Sequence, residues 1–340
     1  MRSEVVTEIK VNGPEIEGLR FRAFADDSDF GKMSKINQLS LKADGVVWIE
    51  SEEDIRARFS AVKDRDPRSD ILFVDVHDTT VGYAQLSWDD EPSKVKAYIH
   101  SAFLLPEWRG RGIREALFHF NERRLEEIAS QHGFECDKYL QVWSYDEPND
   151  WKSVVEKMGY TPVWHLLEMA HVNLPRVSIS DLPEGLCVRP PREEEYHDLW
   201  QLYRDCFIGE LWFVPYTWSE DAYRNWVSSS TFDPELINVA WDGANPVGIV
   251  EMVVSEEEIQ RTGDKVAHAW AVCVAERWRR KGVARALLTR GLTQVRDLGI
   301  EEVLLDTEAE NKHSAMRVYE SVGFDIRRTF TFHRKAIRSK

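Results

Sequence analysis

The chain contains one arginine- and glycine-rich phrase twice, and this repetition constrains its fold more than any other feature. Residues 107–114 read EWRGRGIR, and residues 277–284 read RWRRKGVA. The matched residues Arg109 and Arg279 lie 170 positions apart in a chain of 340 residues. Each half of the chain therefore holds one copy. Self-similarity at this distance predicts a tandem duplication in which each half folds as one domain.

Other landmarks keep nearly the same step. The matching stretches are GLRFR with GLCVR (residues 18–22 and 185–189) and VGY with VGI (residues 81–83 and 247–249). We therefore expect one domain over residues 1–175 and a second over residues 176–340. Each half is predicted to contain an entering strand, one or two helices and a meander of antiparallel strands. The predicted helices cover residues 30–41, 52–63, 193–206 and 220–227.

Both phrases lie where a predicted strand meets a predicted helix. In the second half, a strand over residues 265–274 precedes the phrase, and a helix with apolar residues at helical spacing follows it as far as Gly299. In the first half, a strand over 95–104 and a helix over 113–132 flank the phrase. Unpaired backbone N–H groups at a helix N-terminus bind phosphate oxygens, and glycine lets the ligand approach the backbone closely. Each phrase therefore predicts a pyrophosphate cradle.

The composition argues against several classes of function. A net charge of −15 disfavours a nucleic-acid-binding protein, which would carry a basic face. The first residues, MRSEVVTEIKVNG, have no apolar core segment, and no stretch approaches the roughly 18 consecutive apolar residues of a membrane helix. The four cysteines lack the spacing of a metal site. We expect a cytoplasmic monomer or homodimer without a metal, a nucleic-acid partner or a membrane partner.

Two motifs in the second half carry a family resemblance. RRKGVA at residues 279–284 has the form Q/RxxGxG/A, and NKHSAMRVYESVGF at residues 311–324 has an asparagine followed by a helix with a tyrosine and a closing Gly-Phe. On these motifs the chain resembles the GNAT superfamily of acyl-CoA-dependent N-acetyltransferases. The resemblance implies an α/β (α+β) fold class with two tandem GNAT folds, each a mixed, mostly antiparallel central sheet flanked by helices. The tandem arrangement is similar to that of the mycothiol synthases, in which one domain has lost activity.

The resemblance also assigns site residues in the second half, with acetyl-CoA as the acyl donor. Backbone groups of Cys273 and Val274 would hold the pantetheine arm, and Asn311 would contact the pantetheine or the adjoining site. Tyr319 would lie near the thioester sulfur and protonate the departing thiolate. The residues whose amides would cradle the pyrophosphate are Arg279, Arg280, Lys281, Gly282, Val283 and Ala284.

Transfer to an amine also requires a general base. An alkyl ammonium has a pKa of roughly 10.4 and keeps its proton at neutral pH. His268 is the first candidate, because histidine titrates in the right range. Strand alternation would place it on one face with Trp270, Val272 and Val274. Glu251, on the preceding strand, is the second candidate and would act through a bound water. The sequence leaves both candidates open.

The first half departs from the family pattern. Arg114 occupies the position where the family has Gly or Ala, and the positions that match Tyr319 and His268 hold Val155 and Tyr98. We therefore expect the first domain to be a catalytically inactive scaffold that helps to shape the substrate cleft. A possible second cofactor site there would consist of Leu104, Arg109, Gly110, Arg111, Gly112, Ile113 and Arg114.

The acceptor is the least constrained part of the prediction. An aromatic stretch between the two helices of the second half offers Trp212, Phe213, Tyr216 and Trp218 as substrate contacts, or as ordinary packing residues. The leading hypothesis is acetylation of a primary amine of a small molecule. One alternative is a mycothiol synthase-type acetylation of a sugar-linked cysteine amine, and another is a CoA-binding protein without enzymatic activity.

Overall fold

A computed structural model describes residues 7–44, 50–60, 66–91, 95–133, 136–145, 150–208, 218–310 and 315–337. Contacts within the chain define two compact units. Unit 1 comprises Met1–Val163 and Thr331–Lys340, and unit 2 comprises Trp164–Phe330. This division differs from the boundary after residue 175 that the repeat predicts, since the last residues of the chain group with the first unit.

Unit 1 is built around a sheet with the strand order β1-β2-β3-β4-β5. The strands are β1 Leu19–Ala23, β2 Ile71–Val76, β3 Thr79–Glu91, β4 Val95–Leu104 and β5 Asp137–Tyr145. The helices are α1 Ser28–Ala43, α2 Glu52–Ser60, α3 Pro67–Asp70, α4 Ile113–Gln131 and α5 Asp150–Lys157. Neighbouring strands are antiparallel except for β4 and β5, which run parallel.

Unit 2 repeats this plan with the strand order β6-β11-β10-β9-β8-β7. The strands are β6 Thr161–His171, β7 Cys187–Arg189, β8 Ile237–Asp242, β9 Asn245–Val253, β10 Val266–Val274 and β11 Glu302–Glu308. The last strand, β12 Asp325–Ala336, begins in unit 2, and its residues from Thr331 onward belong to unit 1. The helices are α6 Tyr196–Phe207, α7 Glu220–Val227, α8 Glu256–Thr262, α9 Val283–Asp297 and α10 Ala315–Val322. In the order from β6 to β7, β10 and β11 pair in parallel, and the other neighbouring strands pair antiparallel.

The predicted fold class is confirmed, since the strands of each unit are mixed and mostly antiparallel and are flanked by helices. Helices α3, α5 and α8 are not among the helices that the sequence analysis predicts. Helix α8 begins after Ser255. Ser255 caps α8 there by accepting a hydrogen bond from the Glu258 backbone N–H at 3.2 Å. None of the helices in the described ranges is long and apolar enough to span a lipid bilayer.

Helices pack on both faces of the sheet in unit 2. On one face, α9 buries Leu287, Leu288 and Leu292 against the sheet. On the other face, α6 buries Leu199 and Tyr203. Full burial of one such aliphatic side chain stabilises the fold by about 1.5–3 kcal/mol, so these two layers fix the strand positions around the site described next.

Candidate functional site

The site in unit 2 opens where the two parallel strands separate. β10 and β11 pair over Val266–His268 and Glu302–Leu304, and the described residues beyond these points do not pair with each other. The gap continues into a cavity of about 450 Å³ that reaches the N-terminus of α9 and the side of α10. Because the strands part, backbone groups along the free edge of β10 are available to a ligand.

A β-bulge at Trp270 changes which face of the sheet each residue of β10 occupies. Pairing with β9 shifts register between Ala269 and Ala271. Before the bulge, Ala267 and Ala269 pack into the core beneath α9. After the bulge, Ala271 and Cys273 pack into the opposite core beneath α6. The bulged Trp270 is 73% exposed and lines the cavity.

The bulge corrects one prediction about the candidate base. His268 was expected to share a face with Val272 and Val274, but these two valines pack on the α9 side. His268 lies before the bulge and pairs with Val253, so its side chain is on the α6 side, as is that of Glu251. The prediction was wrong because simple alternation ignores the extra residue of a bulge.

The second phrase forms an open helix N-terminus at one end of the cavity. Arg280 and Gly282 have positive φ values of 59° and 89° and turn the chain into α9. No side chain caps this helix, and its first internal hydrogen bond is from the Ala286 N–H to the Gly282 carbonyl. The amides that precede Ala286 therefore face the cavity with the positive end of the helix dipole behind them. This geometry suits a phosphate group.

Arginine side chains surround that helix N-terminus. Arg279, Arg280 and Arg285 line the cavity together with Gly282 and Ala284. The Arg279 Nε donates to the Val274 carbonyl at 3.0 Å and fixes the turn to the end of β10. The Arg285 Nε donates to Ser321 Oγ at 3.2 Å, which ties α9 to α10.

The remaining predicted cradle residues lie around the same turn. Val283 lines the cavity, as do Cys273 and Val274 at the end of β10. The Lys281 ammonium instead lies 4.6 Å from the centre of the Trp278 ring, and Lys281 is not part of the lining. Asn311 is outside the described residues.

Tyr319 projects from α10 into the cavity from the α9 side of the sheet. The side chain is buried and packs edge-on against Phe324 at 6.2 Å. Burial raises the pKa of the Tyr319 hydroxyl, and the nearby Cys273 raises it further. Within the described part of the chain the hydroxyl makes no hydrogen bond. A neutral phenol of this kind can donate its proton to a ligand bound in the cavity.

The two predicted bases have different surroundings. The His268 ring is 37% exposed, and its Nε2 lies 3.8 Å from Glu258 Oε2. Glu251 is buried outside the cavity lining, where its carboxylate accepts a hydrogen bond from Tyr203 OH at 2.9 Å and another from Trp226 Nε1 at 3.0 Å. Burial raises the pKa of Glu251, and these two hydrogen bonds oppose that effect.

Sequence reasoning missed the acidic residues of the cavity. Asp306 and Glu308, near the end of β11, line the same cavity as Tyr319. Solvent reaches Asp306, yet desolvation by the surrounding protein and the charge of Glu168 raise the pKa of Asp306 to about 6. The signal in the sequence is the polar segment DTE at residues 306–308, which follows the apolar run VLL at residues 303–305.

The predicted substrate contacts are only partly described. Trp212, Phe213 and Tyr216 lie outside the described residues. Trp218 packs against Trp200 with ring centres 5.0 Å apart and against Phe207 at 6.0 Å. This environment is an aromatic cluster between helices α6 and α7, as the packing alternative predicts.

The equivalent space in unit 1 is filled by side chains. β4 and β5 also stop pairing beyond Ile99 and Gln141. The remaining cavity is only about 20 Å³. Arg114 is 3% exposed and lies over the Trp151 ring at 5.6 Å, so its side chain occupies the gap.

The first phrase makes internal contacts instead. The Arg109 guanidinium donates to the Asp44 carboxylate at 2.6 Å and to the Ser40 carbonyl at 2.9 Å. Leu104 and Ile113 are core residues, and Arg111 lies over the Trp108 ring. Gly110 and Gly112 have positive φ values of 69° and 81° and form the turn.

The counterparts of the candidate catalytic residues in unit 1 are structural. Val155 is fully buried in the core. Tyr98 is also buried, and its hydroxyl forms a hydrogen bond with His132 Nδ1 at 2.7 Å.

Comparison with known families accounts for both halves. The Acetyltransferase (GNAT) family matches residues 33–160 and again residues 196–324, which together are well over half of the chain. The chain belongs to the GNAT acetyltransferase family. Each match falls within one of the two units, so this GNAT protein is a tandem duplication, and the predicted enzyme class, an acyl-CoA-dependent N-acetyltransferase, is confirmed.

Relatives of this GNAT protein include mycothiol acetyltransferases. The enzyme from Geodermatophilus obscurus is 27% identical over 291 residues, which cover 83% of this chain and 86% of the relative. The enzyme from Propionibacterium freudenreichii is 30% identical over 54% of this chain and 57% of its own length.

Solved structures agree on the fold. A GCN5-related N-acetyltransferase from Sphaerobacter thermophilus superposes with a TM-score of 0.69 at 21% identity, over 95% of this chain and 97% of the other. A tandem GNAT protein from the clavulanic acid biosynthesis pathway has a TM-score of 0.65 at 15% identity, over 95% of this chain and 99% of the other. These similarities concern the fold alone.

Among the described residues, no cluster of three or more His, Cys, Asp or Glu side chains has the arrangement of a metal site.

Proposed function

We propose that unit 2 transfers an acetyl group from acetyl-CoA to a primary amine of a small molecule. The observation that carries this proposal is the single cavity between the parted strands, which joins an uncapped, arginine-rich helix N-terminus to the buried hydroxyl of Tyr319. One cavity thus contains both a group of phosphate-binding amides and a proton donor.

The described residues fit acetyl-CoA as the donor. The backbone amides at the start of α9, together with Arg279 and Arg280, can bind the diphosphate. The free edge of β10 near Cys273 and Val274 can hold the amide groups of the pantetheine arm, as a neighbouring strand would. Acetyl-CoA would supply the acetyl group as an activated thioester.

Tyr319 is proposed as the general acid. It lies where the strands part and stays protonated at neutral pH because burial raises its pKa. Its hydroxyl can give a proton to the departing thiolate. Without that proton, the thiolate would be a poor leaving group in a desolvated cavity. Glu251 is disfavoured as the general base, because both of its oxygens already accept hydrogen bonds. A group on the side of the cavity that solvent reaches is favoured instead.

A second acceptor class has its own support. The mycothiol acetyltransferase of Geodermatophilus obscurus aligns with most of this chain, across both units. This supports a sugar-linked cysteine amine as a specific acceptor within the small-molecule class.

The test is a CoA-release assay with acetyl-CoA and three acceptors: a cysteinyl glucosaminide, free glucosamine and spermidine. Turnover with the first alone would assign the sugar-linked cysteine class, and turnover with the others would assign a broader amine acetyltransferase. Acetyl-CoA binding without turnover on any acceptor would instead support the non-enzymatic CoA-binding alternative.

A further inference from the structure

Asp306 belongs to the gap between the strands. Pairing of β10 with β11 ends at Leu304, so Asp306 is the second residue beyond the last pair. Its neighbour on the other side is β6, where it pairs directly with Glu168. One flank of Asp306 is therefore held in a regular sheet, and the other flank opens into the cavity that Tyr319 also lines.

Strand register places Asp306 and His268 on one face of the sheet. Leu305 packs beneath α9, so Leu304 and Asp306 face the opposite, α6 side. His268 pairs with Leu304 across the parallel ladder and shares that side. Tyr319 packs on the α9 side. A reacting carbonyl in the gap would thus have Tyr319 on one side and Asp306 on the other.

Groups on several elements act on the Asp306 carboxylate. Desolvation is the main cause that raises its pKa to about 6, followed by the charge of Glu168 on β6, while His268 on β10 acts in the opposite direction. Glu258 of α8 lies 3.8 Å from His268, and Arg328 of β12 lies 3.6 Å from Glu168. Arg327 Nε is 3.7 Å from Glu168 as well.

We propose that Asp306 is the general base that takes the proton from the acceptor amine. This inference rests on the proposed function. The acceptor nitrogen loses one proton to Asp306, and Asp306 passes that proton to solvent. The lone pair left on the nitrogen forms the N–C bond to the thioester carbonyl. The C–S bond breaks, Tyr319 gives its proton to sulfur, and the second nitrogen proton restores the Tyr319 hydroxyl through water.

Magnitudes favour Asp306 over an ordinary carboxylate. An unperturbed aspartate has a pKa of about 3.9, some six units below an alkyl ammonium at roughly 10.4. A pKa of about 6 narrows this difference by two units and leaves the group ionised at neutral pH. Arg280 and Arg285 line the cavity at the N-terminus of α9, so the part lined by Asp306 is left for the cationic acceptor.

The test compares kcat/KM from about pH 5 to about pH 9.5 for wild type, Asp306→Asn and Asp306→Glu, with glucosamine, spermidine or the cysteinyl glucosaminide as acceptor, whichever turns over fastest. Wild-type kcat/KM should fall about tenfold per pH unit below the Asp306 pKa of about 6. Asp306→Asn should lower kcat by about 10²-fold or more, lose that acidic limb and recover partly as the amine deprotonates at high pH. Asp306→Glu should keep more activity.

Glu168→Gln is the matched control, because Glu168 is outside the described cavity lining and acts on Asp306 through charge alone. It should move the acidic limb to lower pH with neutral-pH kcat retained. If Asp306→Asn does not fold, as judged by acetyl-CoA calorimetry, an unmoved limb in Glu168→Gln overturns the proposal.

The remaining outcomes separate the two levels of inference. An acidic limb that persists in Asp306→Asn but vanishes in His268→Gln would overturn the proposal and return the role to His268. A wild-type protein that turns over none of the three amines would contradict the proposed function, and the role of Asp306 falls with it.

Discussion

Glu251 and Asp306 lie on the same face of one sheet and have acquired different roles through their surroundings. Burial raises the pKa of Glu251, and desolvation by the surrounding protein together with the charge of Glu168 raises the pKa of Asp306. Glu251 has both oxygens occupied by Tyr203 and Trp226 and so anchors α6 and α7 to β9. Asp306 opens onto the cavity. The hydrogen-bond partners of a carboxylate, rather than its residue type, therefore separate a structural from a chemical role.

Removing the Tyr319 hydroxyl tests the proposed acid. Tyr319→Phe should lower kcat by about 10²-fold or more while acetyl-CoA affinity stays the same, because the proton donor is lost and the ring is kept. The hydroxyl has no hydrogen-bond partner among the described residues, so the free energy of unfolding should change by less than about 1 kcal/mol. Steady-state kinetics and urea unfolding measure both quantities. Unchanged kcat would show that the thiolate leaves unassisted.

Glu251→Gln distinguishes an anchor from a base. The amide oxygen would still accept from Trp226 Nε1, but the amide N–H would face Tyr203 OH, whose own proton would lose its acceptor. An unsatisfied buried donor of this kind should cost about 1–3 kcal/mol of unfolding free energy. Tyr203→Phe should destabilise the protein comparably. For the folded fraction we expect kcat to fall less than about tenfold. A drop of 10² or more at full stability would make Glu251 the base.

At the scale of single elements, β10 and α9 together create the site. The bulge at Trp270 lets β10 contribute to two cores, and the loss of pairing with β11 opens the gap. α9 must lie close to the sheet to aim its N-terminus into that gap. Gly248 on β9 allows this approach, since a Cβ there would lie 2.8 Å from Val283 Cγ1 in the first turn of α9.

Gly248→Ala should therefore push the N-terminus of α9 away from β9. Overpacking of this kind typically lowers the free energy of unfolding by about 1–3 kcal/mol. Because the phosphate-binding amides move with the N-terminus of α9, acetyl-CoA binding should weaken by about tenfold. Gly82→Ala is the matched control in unit 1, where a Cβ would lie 2.7 Å from Leu104 Cδ1. It should lower stability but leave affinity unchanged, as calorimetry and thermal unfolding can measure. Equal losses of affinity in both variants would contradict this account.

At the scale of the whole molecule, the duplicated halves share one fold but differ in the cavity between their two parallel strands. Unit 2 has a cavity of about 450 Å³ where unit 1 retains about 20 Å³. In unit 1 Arg114 and Trp151 occupy the gap, and Asp44 neutralises Arg109. We infer that unit 1 is a scaffold without a donor site.

Calorimetric titration with acetyl-CoA should give one site per chain. Gly282→Glu should abolish binding, because a carboxylate at the start of α9 repels the diphosphate. Gly112→Glu is the control, since Gly112 and Gly282 both have positive φ values, 81° and 89°, and carry the same backbone strain. It should leave the stoichiometry and affinity unchanged. Two sites in the wild type, one of them lost in Gly112→Glu, would show that unit 1 also binds the donor.

The sequence by itself determined the duplication, the strand and the helix on either side of each arginine- and glycine-rich phrase, the turn before α9 and the positions of Tyr319 and Val155. Each of these follows from local periodicity, glycine placement or a motif read along the chain. Tertiary structure alone decided three other features. The bulge reversed the face of His268, the divergence of β10 from β11 brought Asp306 to the cavity, and Arg114 folded into the gap of unit 1. These depend on register and packing between distant segments, and a pattern along one strand carries no information about either.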